Sequence, residues 1–263
     1  MLLCFMLAPA MCRAVTFDWP TTPAWSATGP VSGATETVDY GYYANGSIRV
    51  SVFNNGETWQ PGYPIVQTGN ARTTTGGTSN ATNGFQLYNN NVSNVVTNYD
   101  KITIYFMYSG GAQNISFNLW DVDAAGNFTD KISNIVGTTL AGATVQATTI
   151  TPTATFNQVN GTVGVAGVNV TGIGNANNTT SEGTVTIGFT QIVSSISFQW
   201  SNDLAGGTTQ AIGISPITFT GLGTVFPEVN SSNAALMLCG GVMGFGLVRR
   251  RRRAETSQCH LHA

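Results

Sequence analysis

Between positions 101 and 219 of this 263-residue chain, apolar side chains recur at every second residue. In KITIYFMY (101–108), Ile102, Ile104 and Phe106 share one face and Thr103, Tyr105 and Met107 the other. In NISFNLW (114–120), Ile115, Phe117 and Leu119 fall on one side. TVTIGF (184–189) and SSISFQW (194–200) repeat the pattern with Val185, Ile187 and Phe189, and with Ile196, Phe198 and Trp200. A period of two belongs to a strand with one buried face, whereas a helix would repeat every 3.6 residues. A last strand is predicted over 211–219 with Ile212, Ile214 and Phe219, and Pro216 within it predicts a bulge or an edge. Earlier strands are predicted around Val38–Tyr43, Ser47–Phe53 and Gly84–Tyr88.

The composition points the same way. Only 8% of residues are charged, against about 25% in an ordinary domain. Gly, Asn, Thr and Ser take those places, which disfavours solvent-exposed helices and favours strands joined by turns. Gly110-Gly111, Asn160-Gly161 and Gly206-Gly207 mark turns. The stretch Gly161–Glu182 is poor in large side chains and reads as loop or weak edge strands. No fixed-period repeat suggests a solenoid. The fold class expected is all-β: a single antiparallel β-sandwich, jelly-roll-like, over residues 15–226, followed by a C-terminal hydrophobic helix.

The ends of the chain read as addresses. Residues 1–14 (MLLCFMLAPAMCRA) combine an apolar run with the triplet Cys12-Arg13-Ala14, the pattern of a signal peptide cleaved after Ala14. At the other end, Ala234–Val248 is 15 residues without charge, followed by Arg249, Arg250, Arg251, Arg252 and Arg253 and a ten-residue tail, 254–263. As a helix this stretch measures ~22 Å, short of the ~30 Å hydrocarbon core, so snorkelling arginines and local thinning would have to help it span. The arginines place the cytoplasm on their side and the body outside.

Pro227-Glu228, a polar spacer, an apolar Gly-rich segment and an arginine cluster, in that order, resemble the PEP-CTERM sorting signal of exosortase-processed bacterial surface proteins. The resemblance is limited to residues 227–253. It implies an exported protein of the bacterial cell envelope or extracellular matrix, held transiently in the inner membrane and processed near Pro227 and Glu228 by an exosortase-like enzyme. It also implies an association with exopolysaccharide and biofilm. A plain single-pass anchor is the competing reading of the same residues.

Charge and residue types exclude several functions. From Val15 to Phe226 there are ten acidic and four basic residues, a net of −6, which repels phosphate backbones and argues against nucleic-acid partners. That span contains no histidine and no cysteine. It therefore lacks Ser-His-Asp and Cys-His catalysis, histidine-ligated metals and disulfide staples. A carboxylate pair, as in glycoside hydrolysis, is the remaining catalytic option, and the chain is expected not to be an enzyme.

Two candidate sites stand out. Asp121, Asp123, Asn127 and Asp130 lie in a ten-residue stretch with Gly126 directly after the strand ending at Trp120. Oxygen ligands on a tight loop suit Ca2+, although the spacing is not that of an EF-hand, and a solvated turn would use the same residues. Trp59 and Tyr63 flank a polar segment and could stack on a sugar ring, the alternative being core packing. The leading expectation is a non-catalytic surface protein, and the alternative is a carbohydrate-binding module that uses Ca2+.

Overall fold

The computed structural model describes residues 12–19, 37–42, 47–55, 58–60, 63–68, 83–90, 98–177, 181–204 and 209–225. Every helix or strand element among them is a β-strand. In chain order these are β1 (Cys12–Phe17), β2 (Thr37–Tyr42), β3 (Ile48–Asn55), β4 (Thr58–Trp59), β5 (Ile65–Thr68) and β6 (Asn83–Asn90). Then come β7 (Tyr99–Phe106), β8 (Ala112–Trp120), β9 (Ala124–Ala125), β10 (Phe128–Thr138), β11 (Thr144–Gln146) and β12 (Thr149–Pro152). The last are β13 (Asn157–Asn160), β14 (Asn169–Gly172), β15 (Val185–Phe189), β16 (Ser195–Asn202), β17 (Thr209–Ile214) and β18 (Ile217–Leu222).

The strands form two antiparallel sheets. The first runs β1-β18-β8-β17-β6-β4, with β5 also on β6, β15 on β8 and β12 on β15. The second runs β13-β14-β10-β16-β7-β3-β2, with β9 and β11 on β10. Their apolar faces meet in one core. Val50, Ile104 and Ile196 line the second sheet, and Phe85, Leu119 and Ile214 line the first. Ring pairs join the sheets, with Phe106 against Phe219 at 5.0 Å and Phe117 against Phe198 at 6.3 Å. The alternation in the sequence is what permits this: the residues at even positions of β7 are buried and hydrophobic from Ile102 onward, while Lys101 and Tyr105 face out.

Three segments depart from the sequence expectation. The strand predicted over 211–219 is two strands, β17 and β18, which both lie along β8 and are separated at Ser215-Pro216. Pro216 has no N–H to give to a ladder, and Ser215 bridges the gap. Its N–H donates to the Asn118 carbonyl at 2.9 Å, and its Oγ accepts the Asn118 N–H at 2.8 Å. The polar stretch 161–182 includes β14, which with β13 makes a short hairpin. The Asn160 side-chain amide there donates to Asn169 and Thr171. The long strand β10 carries no clean alternation because a bulge interrupts it. The register with β16 shifts between Ser133 and Val136, and Asn134 takes a positive φ of 49°. Ile132 and Ile135, three residues apart, are consequently both buried.

At the N-terminus, β1 begins at Cys12 and pairs with β18 from Cys12↔Leu222 to Phe17↔Ile217. The expected cleavage point after Ala14 lies in the middle of this ladder. The remainder of the expected signal peptide, residues 1–11, lies outside the described residues, as do Pro227, Glu228, the hydrophobic C-terminal segment and Arg249–Arg253.

Candidate functional site

One end of the sandwich is polar inside. The antiparallel register lines up Asn54, Asp100 and Trp200 across the second sheet, one row beyond Val52, Ile102 and Phe198. In the first sheet Trp59, Asn89 and Gln210 form the corresponding row, beyond Leu87 and Ile212. Asn54, Asn89, Asp100 and Gln210 are all buried. The Asn89 side-chain amide donates to the Asp100 carboxylate, a hydrogen bond that ties one sheet to the other. Farther along the second sheet, the Trp200 indole N–H donates to Asp130 Oδ1 at 2.8 Å. The Asn202 Oδ1 next to it accepts the N–H groups of Thr129 and Leu204.

The same end carries the segment that leaves β8. Asp121 has a positive φ of 63°, which turns the chain after Trp120. Val122 then enters the core, its N–H bonded to the Gly183 carbonyl and its carbonyl to the Asn157 side chain. Two hydrogen bonds tie Asp123 to Asp130. The Asp130 N–H donates to the Asp123 carbonyl at 2.9 Å, the Asp123 N–H donates to Asp130 Oδ2 at 3.2 Å, and both side chains are buried. Asp123 Oδ2 accepts the Ala176 N–H at 2.8 Å, and the Ala124 N–H bonds the Gly174 carbonyl, so this segment holds the loop 173–177 in place. The approach is close enough to require glycine at 172, where a Cβ would stand 2.0 Å from the Asp123 carbonyl oxygen.

These three carboxylates share one electrostatic neighbourhood. Burial, reinforced by the Asp123 charge, pushes the Asp121 carboxyl up to about 8. Burial raises Asp123 to about 6, against the lowering effect of the Ala176 N–H. Asp130 is held well above the ordinary carboxylate range by burial and by Asp123 and Asp121, despite the opposing hydrogen bonds from Trp200 and Asp123. A cavity of about 240 Å3 opens beside them, lined by Tyr88, Asp121, Asp123, Phe128, Asn175, Thr209, Gln210 and Ala211. None of these described lining residues is basic. Comparison with known protein families, with curated proteins and with solved structures finds no match to this chain. What this corner can do must follow from its own chemistry. Buried acids can hold a proton, and half-buried rings beside polar groups can receive a sugar.

The predicted metal set is only partly brought together. Asp121 and Asp123 line the cavity. Asn127 is exposed in the turn between β9 and β10, and Asp130 lies within β10, where a Trp200 and an Asp123 N–H each occupy one oxygen. The segment read as a loop is thus a strand end followed by a two-residue hairpin turn, because Ala125 pairs with Phe128. Among the described residues no three acidic, histidine or cysteine side chains are grouped to hold a metal ion. Trp59 is 8% exposed and sits in the core row opposite Asn89, so its face is not offered to solvent. Tyr63 is half-buried, its ring edge-on to Tyr88 at 5.2 Å. Sequence reasoning missed Asn175 and Gln210, which lie 52 and 87 residues beyond Asp123 and reach the cavity only through the fold. A signal was present for Gln210, a polar residue at an inward position in phase with Ile212 and Ile214.

Proposed function

We propose that this is an exported, surface-sorted, non-catalytic protein of the bacterial envelope or extracellular polysaccharide matrix, with a jelly-roll-like sandwich as its body. The observation that carries this reading is the order Pro227-Glu228, apolar segment 234–248, then Arg249–Arg253. Its partners are an exosortase-like processing enzyme, the inner membrane before processing, and exopolysaccharide afterwards. Two properties of the sandwich agree with such a role. Its apolar core spans both sheets without cysteine in residues 15–226, which suits a body delivered in any redox state. Its buried aspartates Asp123 and Asp130 are engaged by backbone and indole N–H groups that fix loops and strands.

A second reading, a carbohydrate-binding module, is favoured by the cavity. Tyr88 and Phe128 supply rings there, and Asp121, Asn175 and Gln210 supply groups that hydrogen-bond hydroxyls. A carboxylate-only glycan-cleaving enzyme is the remaining alternative, and it would need two acids facing one substrate.

The first reading is tested by mapping the C-terminus of the native protein by mass spectrometry, in membrane and released fractions. A mature chain ending near Pro227 or Glu228, or modified there, is the expected result. Retention of Arg249–Arg253 in a protein confined to the inner membrane would make it a plain anchor and remove the sorting reading. Retardation in gels containing polysaccharide tests the second reading.

A further inference from the structure

We propose, on the carbohydrate-binding reading above, that the cavity where β8 ends beside the start of β17 receives one uncharged pyranose ring, with Gln210 gripping a pair of adjacent hydroxyls. The ligand class is then a neutral hexose residue of a polysaccharide, to the exclusion of uronates and sulfated sugars.

Gln210 lines the cavity and is only 2% exposed, yet neither its amide oxygen nor its amide nitrogen has a hydrogen-bond partner. Buried polar groups are rarely left so, because each then costs its full desolvation, and such an exception points to an occupant. Register holds the side chain inward. It stands in phase with Ile212 and opposite Asn89 on β6, whose own amide nitrogen is committed to Asp100. A primary amide sets one acceptor beside one donor, and two neighbouring sugar hydroxyls offer the complement, one donating and one accepting.

The walls suit a ring better than water alone. Tyr88 on β6 and Phe128 at the start of β10 both line the cavity and are both half-buried. Tyr88 is steadied by Tyr63, edge-on to it at 5.2 Å. Aromatic faces pack against the C–H side of a pyranose, a surface that water lacks. Asn175 adds a second amide at the exposed margin. Its loop is fixed on either side, by the Ala124 N–H on the Gly174 carbonyl and by the Ala176 N–H on Asp123 Oδ2 at 2.8 Å. A site whose polar groups are already placed loses little to ordering when it binds.

Size and charge narrow the class. The space of about 240 Å3 lies below the roughly 300–1,000 Å3 of clefts for drug-sized ligands, which fits one ring and not a run of them. Asp123 lines the same space, and with a value of about 6 it is ionised at about pH 7.5. A uronate or a sulfate would set a second negative charge beside it, and like charges in contact reject a ligand.

The test uses the full-length chain at about pH 7.5 in a polyoxyethylene detergent, which carries no sugar headgroup. The probes are methyl glucoside, methyl mannoside and methyl galactoside, with methyl glucuronide as the charged counterpart, each titrated by saturation-transfer NMR. At least one neutral glycoside should bind with a Kd of about 1 mM, the affinity expected of about 13 non-hydrogen atoms. The glucuronide should bind at least about tenfold more weakly. Gln210→Leu should fold, since it removes an amide that nothing pairs, and should weaken binding about tenfold. Asn175→Ala, at an exposed position, should weaken it about threefold. No binding of any neutral glycoside, equal binding of the glucuronide, or unchanged affinity in Gln210→Leu would overturn the proposal. If Gln210→Leu does not fold, unchanged affinity in Asn175→Ala overturns it instead. Retardation by polysaccharide gels alongside any of those results would leave the carbohydrate-binding reading standing with another site, and absence of retardation would remove that reading too.

Discussion

The two ends of this sandwich use the same strands for opposite purposes. Toward one end the paired rows are Ile48 with Phe106, then Val50, Ile104 and Ile196. Toward the other they are Asn54, Asp100 and Trp200, faced by Trp59, Asn89 and Gln210. The apolar rows need only volume and shape, and neighbouring side chains share any error. The polar rows need donors matched to acceptors, and one misplaced group leaves another buried and unpaired. The contrast separates a region built for stability from one with chemical capacity, within a single continuous core.

The largest expected effect on this contrast is pH. Asp121 and Asp123 have folded pKa values raised from 3.8 to about 8 and about 6. A carboxyl that holds its proton more tightly when folded stabilises the fold fully below the unfolded pKa and loses that contribution as pH rises through the folded value. Stability should therefore fall from about pH 4 to about pH 6 through both groups and on to about pH 8 through Asp121. The limiting slope is about 1.4 kcal/mol per pH unit for each group. Urea unfolding across that range should show the fall in the wild-type chain and a flatter profile in Asp121→Asn/Asp123→Asn. A flat wild-type profile would mean that these acids are solvated.

The next effect breaks the apolar end. Ile104 is fully buried in the middle of β7, and Ile104→Ala should cost about 2–5 kcal/mol in urea unfolding, with no change in the pH profile. The smallest effect sharpens the polar end. Asn89→Leu alone leaves Asp100 without its cross-sheet donor and should cost about 1–3 kcal/mol. Adding Asp100→Leu should recover part of that loss, because removing both partners of a buried polar pair is cheaper than removing one. Additive losses in the double variant would mean that the pair is not coupled.

Much of the fold was legible because it depends on local periodicity. The strands β7, β15 and β16, and β8 from Ile115 to Leu119, carry the alternation, and their inward residues are those the pattern selects, such as Phe117 and Ile187. β10 was not legible, since its bulge puts Ile132 and Ile135 out of phase and a period-two search passes over it. β13 and β14 are four residues each, too short for an alternating stripe, with one apolar pair, Val159↔Val170, in a polar stretch. The candidate site was half legible. Asp121 and Asp123 announce themselves by spacing. Gln210 and Asn175 acquire meaning only when β17 and the loop 173–177 are brought to the end of β8, which is information held in long-range register.

The pairing of β1 with β18 bears on how the body takes a load. β18 is flanked on both sides, by β1 and by β8, and ends at Leu222, opposite Cys12, with Thr224 and Val225 still bonded to Ser109 and Tyr108. A pull transmitted along the chain from residue 225 would enter an inner strand and have to slide it past two ladders together, a mode that resists force better than peeling an edge. Cutting the chain after Ala14 would delete the rungs at Cys12, Arg13 and Ala14, those nearest the point of pull, and leave Leu222, Gly221 and Thr220 without β1. Trimming at one terminus would then set how firmly the other is gripped.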